Sequence, residues 1–347
     1  MNTFNKNNSL LAIQKSEYQY DPNKLVLVYD TTLGDGSNTI YAPVGGTVST
    51  TIDWGDSTSN FYNFGGIVYA SHTYSSPGIY VVQYSGSMSK LSHQTVPPVA
   101  SARQKLIGCL SFGNIGLKDM FQGFSSCTNL TTVPSSLPSG WLSIYAMFSG
   151  CTNFNSPGVS SWDITNNIFV NQSLISMFAN CVNFNQPLNN WNMTNVININ
   201  SMFDGCTNFN QPLDNWDTSN IINMSLTFRN CINFNQDIGG WDVGNVSIMS
   251  VMLSNADSFS QNLANWDLKS IVQSTSTNGM NNFMNAATGL STANYDATLI
   301  GWNNNKANFA NNIRVHFGGS KYSAAGQAAR SALVAYGWTI TDGGLAP

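Results

Sequence analysis

Charge is what this chain most conspicuously lacks. Of its 347 residues only 9% are Asp, Glu, Lys or Arg, Glu17 is the sole glutamate, and the formal net charge is -4. An average soluble domain is about a quarter charged, so solubility here must rest on Asn, Gln, Ser and Thr. The 13 Lys and Arg are spread thinly. No basic stripe can form to neutralise phosphates, which excludes nucleic acid and disfavours anionic membranes as partners. No apolar run approaches the roughly 18 residues of a membrane span, and the first residues lack the basic-then-apolar order of a secretory signal. The sequence therefore predicts a soluble chain, without membrane insertion and with no visible export route.

Catalytic and metal-binding patterns are equally scarce. The three histidines, His72, His93 and His316, stand apart from one another and from metal-ligand spacings. There is no C-x-x-C pair, Gly-x-Ser-x-Gly elbow, Walker loop or dinucleotide fingerprint. Neither a cofactor nor a metal is expected. Asp30, Asp35, Asp53 and Asp56 are dense, but their spacing matches no calcium loop.

What the chain has is repetition. The phrase CVNFNQPLNNW from Cys181 to Trp191 returns 25 residues later as CTNFNQPLDNW (Cys206 to Trp216) and again as CINFNQDIGGW (Cys231 to Trp241). A period of this length marks a supersecondary unit whose apolar face is covered only when a neighbour stacks on it, which predicts a solenoid. Three columns run through the copies: Cys127, Cys151, Cys181, Cys206 and Cys231; Phe154, Phe184, Phe209, Phe234 and Phe259; and Trp162, Trp191, Trp216, Trp241 and Trp266. The Cys column continues as Ala256 and Ala286, so it asks for a small buried group, and free buried thiols are expected. Ahead of each Cys, steps of three and four, as in Val196, Ile199, Met202, Phe203 and Cys206, predict a helix of about ten residues. Gly150, Asn180, Gly205, Asn230 and Asn255 would end it in a left-handed conformation.

After the Cys comes an extended segment, which Pro157, Pro187 and Pro212 limit to about three or four residues of strand. Two copies, Cys151 to Cys181 and Ala256 to Ala286, carry five-residue insertions expected to bulge from one face. Asp163, Asp217, Asp242 and Asp267, with Asn192 in the remaining copy, follow the Trp column and read as turn acceptors more readily than as an acid-base pair. The Trp column reads as core, not as a sugar-stacking platform. The Asn-Gln pairs Asn185, Gln186, Asn210, Gln211, Asn235 and Gln236 are the candidate ligand surface, with laddering between coils as the competing use of their amides.

The remaining segments divide the chain into a polar tail or anchor over 1–22, a β domain over 23–97, the repeats over 98–290 and a capping segment over 291–347. In the β domain, strand-forming runs at Leu25–Tyr29, Thr47–Asp53, Ile67–Ala70 and Ile79–Tyr84 are punctuated by Gly34-Asp35-Gly36, Gly45-Gly46 and Pro77-Gly78. The C-terminal segment offers a helical YDATLIGW, an apolar IRVHF strand and an Ala-rich helix from about Ser323 to Tyr336, closing with GWTITDGG.

Two family resemblances sharpen this reading. TIDWGDSTS (Thr51 to Ser59) and SHTYSSPGIYVVQYSG (Ser71 to Gly86) resemble the PKD-like β-sandwich family through Trp54-Gly55-Asp56 and His72-Thr73-Tyr74. That resemblance implies a spacer or presentation module. FSSCTNLTTVPSSLPSGWLSIYAMF (Phe124 to Phe148) and the Asn-Phe-Asn-Gln copies resemble the BspA-like leucine-rich repeats of bacterial surface proteins, found also in some protist and viral proteins. The expected fold is therefore α+β, an N-terminal all-β sandwich followed by a leucine-rich-repeat-like solenoid with a C-terminal αβ cap. The expected function is non-enzymatic surface recognition or adhesion toward host or matrix proteins or glycans, at the cell surface or outside the cell. The alternatives are a virus or phage particle protein docked by its N-terminal tail, and more remotely a polysaccharide- or peptide-acting enzyme.

Overall fold

The structure, a computed structural model, describes residues 20–93, 100–165, 172–272 and 279–347. The chain forms two compact units, Met1–Ile168 and Phe169–Pro347. The expected N-terminal tail, apart from residues 20–22, and the segments 166–171 and 273–278, which hold most of the two insertions, lie outside the described residues.

The first unit contains β1 (Leu25–Asp30), β2 (Thr39–Asp53), β3 (Ser59–Thr73), β4 (Ile79–Lys90) and β5 (Leu106–Ser111). They join in one antiparallel sheet of order β3-β2-β4-β1-β5. This corrects the expected two-sheet sandwich: β2 and β3 are 15-residue arms of one hairpin, β2 also pairs with β4, and the ladder runs unbroken to β5. Gly45-Gly46, expected to separate strands, lies inside β2. There Gly46 takes φ 81 and the register with β4 shifts between Gly45 and Val48, so the glycines make a bulge and not a break. β1 and β5 are buried almost throughout. Two repeat coils follow in the same unit, joined to the sheet by parallel bridges from Lys90 to Asp119 and from Gly108 to Thr132, and to each other by one from Asp119 to Ser143.

The second unit holds the clearest repeats. The expected helices do not form: the only α-helices among the described residues are α1 (Thr292–Asn305) and α2 (Ala324–Ala335), both beyond the repeats. The leucine-rich-repeat-like solenoid of strand and helix is thereby also corrected. The reason lies in where the amides point. In the coil from Ile199 to Cys206, Met202, Asp204 and Cys206 donate three residues back, to Ile199, Ser201 and Phe203, at 2.9–3.2 Å. Between them Ile199, Ser201, Phe203 and Gly205 donate to Asn223, Ser225, Thr227 and Arg229 of the next coil at 2.8–3.1 Å. Half the N–H groups that a helix would use four residues back are committed sideways, leaving chained β-turns.

Each coil carries two left-handed residues four apart, such as Ser176 and Asn180, Ser201 and Gly205, Leu226 and Asn230, and Val251 and Asn255. A positive φ at the third residue of a turn is the type II signature. The left-handed residue anticipated before each Cys is present, ending a turn in place of a helix. Side chains spaced by three and four still converge on the interior: Val196, Ile199, Met202, Phe203 and Cys206 are all buried. Strand is minimal: β6 (Gln172–Ser173) and β7 (Val196–Asn198) pair in parallel, and single bridges continue from Asn198 through Asn223 and Ile248 to Gly279. Pro157 opens a 3-10 turn, Pro157–Ser161, and Pro187 and Pro212 lie in irregular backbone.

The unit closes with α1, β8 (Arg314–His316), α2 and β9 (Thr339–Thr341), β8 and β9 being parallel. Helix α1 occupies the position a further coil would take. Its Trp302 Nε1 donates to Leu263 O at 2.8 Å and its Thr298 Oγ1 accepts from Leu263 N at 3.1 Å, so both backbone groups of Leu263 are satisfied.

Candidate functional site

The Trp-Gly-Asp turn and the His-Thr-Tyr segment, 16 or more residues apart in sequence, meet across the β2–β3 hairpin. Gly55 turns at φ 81 against the Val81 carbonyl, where a Cβ would sit 2.7 Å away, so only glycine fits. Asp56 Oδ1 accepts from Thr58 N at 3.1 Å, and Oδ2 lies 2.7 Å from His72 Nε2. His72 stacks on Trp54 with ring centres 4.9 Å apart, and Tyr74 donates its hydroxyl to Trp54 O at 2.8 Å. Burial would raise the Asp56 carboxyl, but the bonds from Thr58 and His72 hold it below the ordinary carboxylate value. The Asp56 carboxylate, the His72 Nε2 and the Tyr74 hydroxyl are all spent on holding the hairpin end.

The four aspartates considered for calcium are not brought together. Asp30 caps Thr32, Asp53 accepts from Gly55 N at 3.0 Å, and Asp35 accepts from the Lys105 ammonium at 2.5 Å. Among the described residues no three His, Cys, Asp or Glu side chains gather as a metal site would require. Lys105 is fully buried and also donates to Ser37 O, Ser37 Oγ and Thr39 O at 2.7–2.9 Å. An ammonium thus meets Asp35, while Asp30, Asp53 and Asp56 each accept from the N–H two residues on. Against the upward push of burial, the Lys105 bond and two bonds from Ser37 hold the Asp35 carboxyl at about 2.

In the repeats the columns point inward. All the Cys, Phe and Trp of the three columns are buried. Phe209 stacks on Phe234 and Trp216 on Trp241 at 6.0 Å. Trp216, Trp241 and Trp266 each donate to a carbonyl 28 residues back, Leu188, Leu213 and Ile238, at 2.9–3.0 Å, and Trp162 to Pro134 O at 2.8 Å. No indole face is left for a sugar. All six cysteines are free thiols. Cys151, Cys206 and Cys231 donate S–H to the Phe124, Phe178 and Phe203 carbonyls at 2.9 Å, a role that Ala256 and Ala286 cannot perform. Burial pushes the Cys127 thiol up to about 12, well away from the nucleophilic thiolate.

The acidic column is bound to its own backbone. Asp163, Asp217, Asp242 and Asp267, and Asn192 in their place, each accept from the N–H two residues on at 2.8–3.1 Å. These are Asx turns. Ser219, through side chain and backbone, lowers the Asp217 carboxyl. His316 Nδ1 accepts from Gly318 N. His93, apart from any ligand in sequence, is buried with Nδ1 2.6 Å from Gly123 O and Nε2 3.8 Å from Cys127 Sγ, and burial lowers its pKa to about 4.

The amide surface is ordered. Asn185 Oδ1 accepts from Asn210 N and Gln211 Nε2, Asn210 Oδ1 from Asn235 N and Gln236 Nε2, and Asn235 Oδ1 from Ser260 N and Gln261 Nε2, at 2.8–3.1 Å. A second ladder runs from Asn233 through Asn208 to Asn183 at 3.3–3.5 Å. Gln186 lies in the same column as Gln211. The competing use of these amides is realised in lengthwise bonds, which also position their outward atoms.

Stacked turn-rich coils with a buried aromatic core and amide-laddered exterior define a repeat protein. A family model described as "Mycoplasma protein of unknown function, DUF285" matches residues 116–203 and 172–292, together about half of the chain, and the chain belongs to this family. No curated protein and no solved structure matches it.

Proposed function

We propose that this protein is a non-enzymatic recognition or adhesion protein, presenting its amide columns to a protein or glycan on another cell or particle. The observation that carries the proposal is the row of glutamine carbonyls. Gln211 and Gln236 commit Nε2 to the neighbouring asparagine, and among the described residues their Oε1 atoms accept no hydrogen bond. One acceptor per coil, spaced by about 5 Å as hydrogen-bonded chains require, suits a ligand with regularly placed donors. Glycan hydroxyls and the N–H groups of an extended peptide both qualify.

Rigidity adds to the case, because a side chain already held by a ladder loses little entropy on binding. The resemblance to BspA-like surface proteins points the same way, and display at a cell or particle surface belongs to the same proposal. No helix among the described residues is long and apolar enough to cross a membrane. The enzyme reading draws no support from the acidic column, whose carboxylates are engaged in their own turns.

Glycan and matrix-protein arrays, followed by cell binding, test the proposal. A ligand should be found whose affinity falls at least about tenfold, about 1.4 kcal/mol, when Gln211→Ala and Gln236→Ala are combined. Absence of binding on every array and cell, or equal binding by the double variant, would remove the reading.

A further inference from the structure

The glutamine row continues for one coil beyond Gln236. Gln261 commits Nε2 to Asn235 O and Oδ1 at 2.8 Å, and among the described residues its Oε1, like those of Gln211 and Gln236, accepts no hydrogen bond. There the cap takes over: Ser260 O accepts from Asn294 Nδ2 at 2.6 Å and Ser260 Oγ from Ser291 N at 2.8 Å. A second row runs beside the first. Asn208 and Asn233, both exposed, each give one Nδ2–H to the asparagine one coil back, at 3.3 and 3.5 Å. An amide nitrogen carries two hydrogens, so one donor of each is left over. These coils therefore offer an acceptor and, three residues away in the chain, a donor.

Spacing separates the ligands that could use such rows. On this face Asn208 N, Asn233 N and Ser258 N each donate to a carbonyl of the coil before at 3.0–3.2 Å, which sets the backbones about 4.8 Å apart. One residue further on, the ring centres of Phe209, Phe234 and Phe259 follow one another at 6.0 Å. Successive acceptors lie within that window. An extended peptide laid along the rows repeats its same-side N–H groups every second residue, about 6.6–6.8 Å. A polyproline II segment repeats a face only every third residue, about 9 Å. Both run out of step with three acceptors. Pyranose rings joined 1→4 in an extended chain advance by a length inside the window, so each coil meets one ring. Sugar hydroxyls both donate and accept, as the two rows require.

Charge narrows the choice further. The segments Asn208 to Gln211, Asn233 to Gln236 and Ser258 to Gln261 contain no charged residue, and the residues that follow them, Pro212, Asp237 and Asn262, add one carboxylate and no cation. An acidic chain would meet repulsion here with nothing to offset it. We infer that the paired rows bind a neutral, linear, 1→4-linked polysaccharide lying along the stack of coils, one sugar ring to each of Gln211, Gln236 and Gln261. Such a ligand presupposes the recognition function proposed above and narrows its target from protein or glycan to glycan.

Calorimetric titration of the full chain with oligosaccharides of roughly two to six rings, in β-1→4-linked glucose, mannose, xylose and N-acetylglucosamine series, gives the dissociation constant for each length. In at least one series affinity should rise about three- to tenfold per ring up to the third, as one hydrogen bond per ring predicts, and level off beyond about the fourth. Gln236→Met keeps the side chain's length and removes the acceptor. It should weaken binding of a trisaccharide or longer chain at least about tenfold and leave the circular dichroism spectrum unchanged. No binding in any series, affinity independent of length, an unaffected Gln236→Met variant, or tighter binding of the acidic chain polygalacturonate would overturn the glycan assignment. If the arrays then yield a protein ligand sensitive to Gln211→Ala and Gln236→Ala, recognition stands and the glycan alone falls. If they yield no ligand of any class, both fall.

Discussion

Lys105 and His93 show what single residues contribute here that their sequence neighbours do not announce. The Lys105 ammonium is buried against Asp35, Ser37 and Thr39. Lys105→Met would leave those acceptors without their donor, and the expected loss is about 3 kcal/mol, read as a lower urea midpoint. His93 is held neutral by burial, with its pKa lowered from 6.5 to about 4. The unfolded imidazole binds its proton near pH 6.5, so this contribution is complete above that pH and is lost as pH falls toward 4, by about 3 kcal/mol in all. The Asp35 carboxyl has the opposite character. It stabilises above its unfolded pKa of 3.8, and that stability is lost as pH falls toward about 2. Denaturant titrations at stepped pH should therefore show two acid limbs, and His93→Gln should abolish only the one between 6.5 and 4. A profile for His93→Gln that keeps both limbs would contradict the assignment.

The repeat coil is where reading sequence as structure went furthest and also where it failed. Column membership was legible, because Cys206, Phe209 and Trp216 recur at fixed offsets and burial has to follow a repeated apolar position. The left-handed residue before each Cys was legible as well, since Gly and Asn supply it in Gly205, Asn230 and Asn255. The helix was not, because steps of three and four are common to a helical face and to chained turns, and only the destination of the amides separates them. The second left-handed column gives no signal, being filled by Ser176, Ser201, Leu226, Val251 and Asn282. Leu226 and Val251 sit there at φ 61, a conformation that costs an L-residue about 1 kcal/mol or more. Val251→Asn, borrowing the residue that Asn282 places in the same column, should raise stability by about 0.5–1 kcal/mol, measured by thermal or urea unfolding. The ladders make the complementary prediction: Asn210→Ala removes the acceptor of Asn235 N and Gln236 Nε2 and should cost about 1–2 kcal/mol.

At the scale of the molecule, long-range partners decided what local pattern left open. The Trp-Gly-Asp and His-Thr-Tyr segments were readable as motifs, and their meeting at His72 and Asp56 follows from a single hairpin. That the strands form one sheet and not two was unreadable, because a strand's alternation does not say which neighbour it pairs with. The Asn-Gln columns were legible as surface, yet their division into inward ladder atoms and outward carbonyls depends on coil-to-coil offsets that only coordinates supply. What both units share is the buried Cys and Phe columns, Cys127, Cys151 and Phe154 in the first and Cys181, Phe184 and their successors in the second, with asparagine amides bonded from coil to coil on the outside.

Thiol labelling tests that claim most directly, because five of the six cysteines mark the buried column at one position per coil and Cys109 marks the sheet. Native protein exposed to a small alkylating reagent at neutral pH should show no modification by intact mass, with all six thiols labelled after unfolding in denaturant. Rapid native labelling of Cys181, Cys206 or Cys231, or recovery of disulfides among them, would contradict an interior built from stacked coils.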